Sequence, residues 1–504
     1  MTIQLGIIIL YFILTVAIGL WSAKKSKDAD SFHGANMGIM AIVCASTGEW
    51  LGGTATTGVS EYGFNFGLSG AWYTIANGIG TMFLALMFAK LYRSVDSVTV
   101  PGIIENFFGK KARTVSSALL IFVMLAVGLS QMIAAGKLGA SLMGFDFSVT
   151  CVVFAIIFII YTLAGGMNAV ASTNVMHLFV MYGGVILAVI MVMSKLGGFE
   201  AFTSGIHEVE AAAAAAGASN TNYFSMTTIG MPKVTSWIVA GLLGACTAQA
   251  GIQPVLAAKD VPTARTACII TAFVVAPFGF FTALLGMGAK VLSHNGQLLD
   301  TLGNNVVDGK AALFTLMMNL PGWAGGLILA SLLAAILSTV SPIILAAGTM
   351  FTKDLYQGVL KKDASDKEVL FMSRLTTAIS GVICCVFAIL LVNASAVLDL
   401  VYAAYSLRGA LFVVVLFGIY TKIASEKAAC WSMLCTGAVA ISWVAVKLVT
   451  GSYPIASWLT ETYAAVIVAV ITTIIFSMIF KPSEMEQAEK AAKMKKLHER
   501  MNAQ

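Results

Sequence analysis

Apolar runs of about 20 residues recur along nearly the whole chain. A helix of that length crosses the roughly 30 Å hydrocarbon core of a bilayer. The chain of 504 residues is 59% apolar and only 11% charged, whereas a soluble domain carries about 25% charged residues. We therefore predict an all-α polytopic membrane protein. Its spans, about thirteen in number, are predicted at 4–22, 38–59, 67–91, 113–143, 147–165, 170–195, 234–257, 266–291, 323–350, 369–392, 396–420, 428–449 and 455–480.

The basic residues predict how these spans are oriented. If the N-terminus lies outside, the cytoplasmic loops and the C-terminal tail hold 23 of the 30 Lys and Arg residues, as the positive-inside rule requires. We therefore predict a multi-pass protein of the cell (inner) membrane with a cytoplasmic C-terminus. The net charge of +6 then reflects topology and does not indicate nucleic-acid binding.

The domain organisation is predicted to be simple. Residues 1–480 are expected to form one transmembrane domain, and residues 481–504 a charged cytoplasmic tail. The eight cysteines lie almost entirely within predicted spans and show no CxxC spacing. This pattern argues against a metal site or a disulfide framework.

Two of the predicted spans are interrupted by residues that break helices. The segment CASTGEWLGGTATTG, residues 44–58, places Glu49 among glycines in an apolar run, where a carboxylate costs roughly 2.5–3.5 kcal/mol. The seventh span contains Gly241, Gly244, Gly251 and Pro254. Interrupted spans at matching positions of oppositely oriented halves are typical of secondary transporters. We predict a five-plus-five inverted repeat with discontinuous helices, at about 38–195 and 234–420, and expect Glu49 at a break that lines a wet central site.

The ninth predicted span gathers oxygen-bearing groups. In ASLLAAILSTVSPIILAAGTMFTKDLY, the carbonyl of Ala335 and the hydroxyls of Ser338, Thr339 and Ser341 fall within two helical turns. Uncharged oxygens of this kind suit a weakly held hard cation such as sodium. Alternatively, these side chains bond to their own helix or allow close helix packing.

The same span resembles the signature segment of the sodium:solute symporter family, which includes sodium-coupled proline, galactose and sialic acid transporters. Further similarities are YTLAGGMNAVASTNVMHLFVM, QPVLAAKDVPTAR and AYSLRGALFVVVLFGIY. They follow the family order and cover about residues 1–480. The resemblance implies the inverted repeat, one extra leading span and two or three trailing spans.

The resemblance also implies a sodium site. Its ligands would be the carbonyls of Val43, Ser46 and Ala335 and the hydroxyls of Ser338 and Thr339. Members of the family often carry an Asp in a W-T-D element of the sixth span, where this chain reads Ser172-Thr173-Asn174. Asn174 has no charge to offer a second sodium ion and could instead serve helix packing. We therefore predict one sodium ion per transport cycle.

The predicted solute site lies between the second, fourth, seventh and eleventh spans, as the resemblance implies. Its candidates are Glu49, Trp50, Gln131, Gln249 and Arg408. Glu49 and Arg408 fall at similar depth, which leaves two alternatives. They could form a salt bridge that closes the helix break, or Arg408 could hold a solute carboxylate while Glu49 attracts an amine.

These features together predict a sodium-coupled symporter that imports a small polar organic solute by alternating access. An amino acid or derivative is favoured, and an organic cation or a monocarboxylate is the alternative. A solute sensor or an uncoupled channel on the same scaffold is a second class of function. We expect no catalytic residue, no cofactor besides the coupling sodium, and a monomer whose partners are sodium, the solute and the lipid bilayer.

Overall fold

The fold is described from a computed structural model that covers residues 2–23, 28–95, 97–143, 145–218, 221–300, 302–392 and 396–503. Within these ranges the chain is helical, and β-structure is limited to two isolated bridges. The helices of the first part are α1 Thr2–Ala23, α2 Ala29–His33, α3 Ile39–Trp50, α4 Val59–Phe66, α5 Trp72–Phe83, α6 Ala89–Ser94, α7 Val100–Phe108, α8 Lys110–Met143, α9 Phe147–Leu196 and α10 Phe199–Ala215. Those of the second part are α11 Met231–Gly244, α12 Gln249–Leu256, α13 Val261–Val275, α14 Phe278–His294, α15 Gly309–Met318, α16 Gly322–Met350, α17 Asp366–Leu391, α18 Ala396–Tyr420, α19 Glu426–Thr450, α20 Glu461–Ile479 and α21 Glu484–Ala503.

Several helices continue into short segments of different helical pitch. A 3₁₀ segment precedes α5, and π-helical segments follow the first helix break, α5 and α16. These segments are Gly67–Ala71 (3₁₀), Thr54–Gly58, Leu84–Phe88 and Phe351–Leu360.

Among the described residues, ten helical stretches are long and apolar enough to cross a membrane. They are Ile3–Ser22, Thr54–Ser94, Lys110–Ala140, Phe147–Leu196, Met231–Leu256, Val261–His294, Gly322–Leu360, Asp366–Leu391, Glu426–Lys447 and Glu461–Ile479, with shorter apolar helices at Ile39–Trp50, Gly309–Met318 and Ala404–Tyr420. The predicted class, an all-α polytopic membrane protein, is confirmed. The number of thirteen spans stays a prediction.

The long helix α9 has a kink that separates two of the predicted spans. Gly166 adopts φ 53° and ψ −137° between its two arms, a conformation that costs little only for glycine. A Cβ atom at this position would also lie 2.4 Å from the carbonyl oxygen of Phe32. The two arms correspond to the spans predicted at 147–165 and 170–195.

Helix α16 lies at the centre of the molecule. In its most apolar window, 94% of the residues are buried within the protein. It packs against α1, α3, α8, α9 and α17. A helix that is apolar on all sides is expected to be surrounded by other helices, and α16 therefore presents its few hydroxyl groups to protein and not to lipid.

Both predicted helix interruptions are present. The first lies at Leu51 and Gly52, between α3 and the π-helical segment. The second lies between α11 and α12, where residues 245–248 leave the helical path. The two broken helices touch, because a Cβ atom at Gly251 of α12 would lie 3.5 Å from side-chain carbons of both Glu49 and Trp50. This contact places the two breaks side by side at the central site.

Candidate functional site

The first helix break is stabilised by an amide side chain from α8. Gly53 N donates to Gln131 Oε1 at 2.7 Å, which satisfies a backbone group that the break leaves without a helical partner. A Cβ atom at Gly52 or Gly53 would approach Gln131 Oε1 to 3.0 or 2.9 Å, respectively. Gln131, a predicted solute ligand, is thus placed at the break, with its carbonyl oxygen bonded to the backbone.

The predicted sodium ligands of α16 lie together and face α3. Ser338 Oγ donates to the Ala335 carbonyl at 2.9 Å. Thr339 Oγ1 lies 3.1 Å from that carbonyl and 2.5 Å from the Gly48 carbonyl. Two hydroxyls and two carbonyl oxygens therefore meet where α3 approaches its break, and oxygen ligands of this kind suit a hard cation.

The close approach of α3 to α16 depends on Gly48. A Cβ atom there would lie 2.3 Å from the Ser338 carbonyl oxygen. Ser46, by contrast, directs its hydroxyl to the Gly251 carbonyl of α12 at 2.8 Å, and Val43 is buried in the apolar core. The structure thus adds the Gly48 carbonyl to the neighbourhood of the hydroxyl pair. The assignment of the Val43 and Ser46 carbonyls as sodium ligands stays a prediction.

Asn174 of α9 lies beside the same group. Its Nδ2 donates to the Ser338 carbonyl at 3.2 Å, and its Oδ1 has no hydrogen-bond partner among the described residues. The side chain therefore contributes an uncharged oxygen next to the hydroxyl pair and supports the position of α16 with its amide group.

An ion pair joins the first helix break to α18. Arg408 Nη1 lies 2.7 Å from Glu49 Oε1, and both residues are 3% exposed. Burying two charges is costly unless they are paired with good geometry, which this contact provides. Within the part of the chain that the structure describes, Glu49 Oε2 and Arg408 Nε have no hydrogen-bond partner. The pair leaves one acceptor and one donor unused.

Aromatic rings enclose the ion pair. The Arg408 guanidinium lies 5.1 Å from the Trp50 ring centre and 4.5 Å from that of Tyr405, distances that allow cation–π attraction. Tyr73 donates its hydroxyl to that of Tyr405 at 3.2 Å. The adjoining cavity has a volume of about 30 Å³ and is lined by Tyr73, Asn77, Trp237, Tyr405, Ser406 and Arg408, among others. This volume is too small for a solute of the size of an amino acid.

Gln249, the remaining solute candidate, is engaged by another segment. Its Oε1 accepts from Val100 N at 2.7 Å, and its Nε2 donates to the Val98 carbonyl at 3.1 Å. These bonds tie the start of α12 to the start of α7. Of the predicted solute ligands, Glu49, Trp50 and Arg408 are brought together. The contacts of Gln131 connect it to the break, and those of Gln249 to the α7 segment.

The two tyrosines of this site were not predicted from the sequence. Tyr405 precedes Arg408 by one helical turn, and this spacing could have indicated that both side chains lie on the same face of the helix. Tyr73 comes from α5, and only the packing of α5 against α11 brings its ring to the site. The buried carboxylate of Asp354, beyond the end of α16, was not predicted either; its Oδ1 lies 2.8 Å from Arg113 Nη2.

A buried histidine, His33 of α2, connects α2 to α12, α16 and α17. The contacts lie at the end of α16 that carries Thr349. His33 Nδ1 lies 3.1 Å from Thr349 Oγ1, and its Nε2 lies 3.0 Å from Ser373 Oγ. Gln253 Nε2 of α12 donates to the His33 carbonyl at 2.9 Å. Burial lowers the pKa of His33 to about 3, and the positive charge of Lys353 acts in the same direction. The ring is therefore neutral near pH 7 and serves as a polar connector.

The chain is similar to known transporters. The chain is similar to a sodium/glucose cotransporter of Vibrio parahaemolyticus, with 24% identity over 405 residues, 77% of this chain and 74% of the relative. It is also similar to an osmoregulated proline transporter of Bacillus subtilis, with 26% identity over 496 residues, 95% of this chain and 94% of the relative. Among solved structures, a substrate-bound, outward-open sodium-coupled sialic acid symporter matches with a TM-score of 0.78 and 20% identity over 96% of this chain and 99% of that chain.

These similarities identify the class of protein. The matched relatives are transporters, so the prediction that this chain is not an enzyme is confirmed. The coupling ion is sodium, and no further cofactor is expected. The model of the sodium:solute symporter family matches residues 32–436, and the chain belongs to that family.

Proposed function

We propose that the protein imports a small zwitterionic solute, an amino acid or a derivative of one, together with sodium by alternating access. The family and its relatives support sodium-coupled symport. The solute class is inferred from one observation, namely the buried Glu49–Arg408 pair with its unused acceptor and donor.

The charge balance of the site favours a zwitterion. Glu49 and Arg408 together carry no net charge, and each retains one unpaired polar atom. An ammonium group at Glu49 Oε2 and a carboxylate at Arg408 Nε would satisfy both atoms and leave the site neutral. A solute with a single charge would leave one buried atom unsatisfied and would add an uncompensated charge, and both effects are unfavourable in a desolvated site.

Sodium is proposed to bind between α3 and α16. The ligands are the hydroxyls of Ser338 and Thr339 and the carbonyls of Ala335, Val43 and Ser46, and the position of Gly48 supports a junction at this point. Bound sodium would hold the first broken helix against α16 and favour the outward-open state. Its release to the cytoplasm would free the solute, a population shift driven by differential binding. One charge crossing 100 mV supplies roughly 2.3 kcal/mol, and we propose one sodium ion per solute.

The membrane arrangement is part of the proposal. We place the N-terminus outside and the C-terminus in the cytoplasm of a monomer in the cell (inner) membrane, with a single transmembrane domain at 1–480 and a charged tail at 481–504. The distribution of basic residues supports this orientation. The tail forms helix α21, whose Lys490 Nζ donates to the Thr421 carbonyl at 2.9 Å. The tail is thus held against the chain between α18 and α19.

A thermal-shift screen tests the solute class. Purified protein is melted with amino acids, amines, sugars and organic acids, in sodium and in potassium. We expect zwitterionic amino acids to raise the melting temperature in sodium and to have little effect in potassium. For any positive amino acid, the matched controls are its methyl ester, which lacks the carboxylate, and its N-acetyl derivative, which lacks the ammonium. Equal shifts by either control would contradict recognition of both charges.

A further inference from the structure

Glu49 is a buried anion whose counter-charge is supplied by the protein. Its Oε1 lies 2.7 Å from Arg408 Nη1, and both side chains are almost fully desolvated. A buried carboxylate requires a cation or a proton to neutralise it. An arginine guanidinium remains protonated in proteins, and the cation at this position is therefore permanent.

Two tyrosine hydroxyls lie in the same region. The hydroxyls of Tyr73 and Tyr405 are bonded to each other at 3.2 Å, and both residues line the same small cavity as Arg408. A carboxylate with neighbouring hydroxyl oxygens is a suitable ligand set for a small hard cation. In this protein the Arg408 guanidinium lies next to the Glu49 carboxylate.

The protein holds both the backbone and the side chain of Arg408 in place. Thr247, in the second helix break, donates its hydroxyl to the Arg408 carbonyl oxygen. A Cβ atom at Gly244, immediately before that break, would lie 3.2 Å from Arg408 Nε. The rings of Trp50 and Tyr405 lie against the guanidinium. Arg408 therefore bridges both broken helices as a positioned cation and not as a mobile side chain.

We infer that the Arg408 guanidinium takes the place of a second sodium ion beside Glu49, so that only the site at Ser338 and Thr339 takes sodium. This inference rests on the proposed sodium site and adds a separate physical reason for a stoichiometry of one. It has a specific consequence: a variant that loses the guanidinium but keeps Glu49 gains a second sodium site.

The test counts sodium ions bound to purified protein in the absence of solute, with radioactive sodium in a scintillation proximity assay. The wild-type protein should bind one ion. Arg408→Gln should bind two, because the Glu49 carboxylate then lacks its counter-ion. Arg408→Lys, which keeps a positive charge, and the double variant Glu49→Gln/Arg408→Gln, which removes the carboxylate, should each bind one. Ser338→Ala in the Arg408→Gln background should leave sodium affinity at Glu49 unchanged and weaken that of the other site by about tenfold or more.

The inference is overturned if Arg408→Gln binds a single ion, or if a second ion persists in the double variant. If Arg408→Gln is unstable in potassium, its melting temperature provides the measurement. Sodium should then stabilise it more than it stabilises the double variant, and equal stabilisation would also overturn the inference. A wild-type protein that binds no sodium would contradict the proposed function itself, whereas one ion in both wild type and Arg408→Gln would contradict only this inference.

Discussion

At the scale of single residues, the hydroxyl pair of α16 is the feature that sodium binding depends on. Ser338→Ala and Thr339→Ala should each raise the half-saturating sodium concentration by about tenfold or more, since loss of about 1.4 kcal/mol of binding energy is a tenfold change. Solute binding at saturating sodium should change less. The measurement is sodium-dependent solute binding or uptake over a range of sodium concentrations.

A matched control lies on the same helix. Ser331 is also fully buried, and its hydroxyl bonds to the carbonyl of Ile328 at 2.7 Å. Ser331→Ala should therefore leave the sodium dependence unchanged. If the half-saturating sodium concentration is the same in all three variants and the wild type, the proposed ligands are not at Ser338 and Thr339.

The Glu49–Arg408 pair gives a prediction about stability. In potassium, Glu49→Gln and Arg408→Gln should each lower the free energy of unfolding by about 3–5 kcal/mol, because each leaves a buried charge without a partner. The double variant should recover much of that loss, so the two effects are strongly non-additive. Melting temperatures of the four proteins measure the coupling. Additive losses would mean that the two charges act independently and would contradict the pairing.

The charged residues of this site could be predicted from the sequence, but the aromatic residues that line it could not. A charge inside an apolar span has few explanations besides function or pairing, and so Glu49 and Arg408 could be singled out directly. Aromatic residues in such spans are common, and whether one of them faces the site depends on the rotation and packing of its helix. For that reason Tyr73 and Tyr405 emerged only from the structure.

At the scale of helices, the junction of α3 and α16 depends on the absence of a side chain at Gly48. Gly48→Ala should separate the two helices and weaken sodium binding, because the new Cβ atom would meet the Ser338 carbonyl at 2.3 Å, and backbone cannot yield as a flexible side chain does. Overpacking of this kind costs typically about 1–3 kcal/mol. Sodium titration and melting temperature measure the two effects.

Gly183 of α9 provides the control for this substitution. No atom lies within 4 Å of a Cβ atom built there, and alanine is favoured over glycine in a helix by about 1 kcal/mol. Gly183→Ala should therefore keep sodium affinity and retain or slightly increase stability. If Gly48→Ala behaved in the same way, the close approach of α3 and α16 would not matter for sodium.

The helices themselves were largely predictable, for a physical reason. Apolar length sets the spans, and the glycines near Glu49 and Gly244 set the two interruptions, because lipid offers no partner to unwound backbone. The contacts of individual polar side chains were less predictable. Gln249, for example, forms hydrogen bonds with Val98 and Val100 through its side-chain amide, and tertiary packing alone decides these contacts. Its predicted role at the solute site stays a prediction.

The burial of His33 in the helix bundle predicts that the stability of the protein depends on pH. Its folded-state pKa is about 3, against about 6.5 in an unfolded chain. Between these values the unfolded state binds the proton, so stability is full above about pH 6.5 and falls as the pH is lowered, by up to roughly 1.4 kcal/mol per pH unit. His33→Gln should reduce this dependence, since the other four of the five histidines are common to both proteins. If the melting temperatures of the wild type and the variant fell equally between pH 7 and 5, this prediction would be contradicted.

At the scale of the whole molecule, α16 connects the proposed sodium site to a polar network at its far end. Ser338 and Thr339 lie in its middle, Thr349 bonds to His33 near its end, and Asp354 in the following π-helical segment pairs with Arg113 of α8. A rigid, buried helix of this kind can transmit the presence of sodium to the polar network at its end. Opening of the molecule at that end would require these bonds to rearrange.

Solute accumulation in proteoliposomes, with a solute identified by the thermal-shift screen, tests sodium-coupled symport most directly. Under an inward sodium gradient, we predict accumulation above the external concentration, loss of that accumulation when a sodium ionophore is added, and efflux when the gradient is reversed. An equal inward potassium gradient should produce no accumulation. Uptake that only equilibrates the solute, or that proceeds equally with potassium, would contradict sodium-coupled symport by this protein.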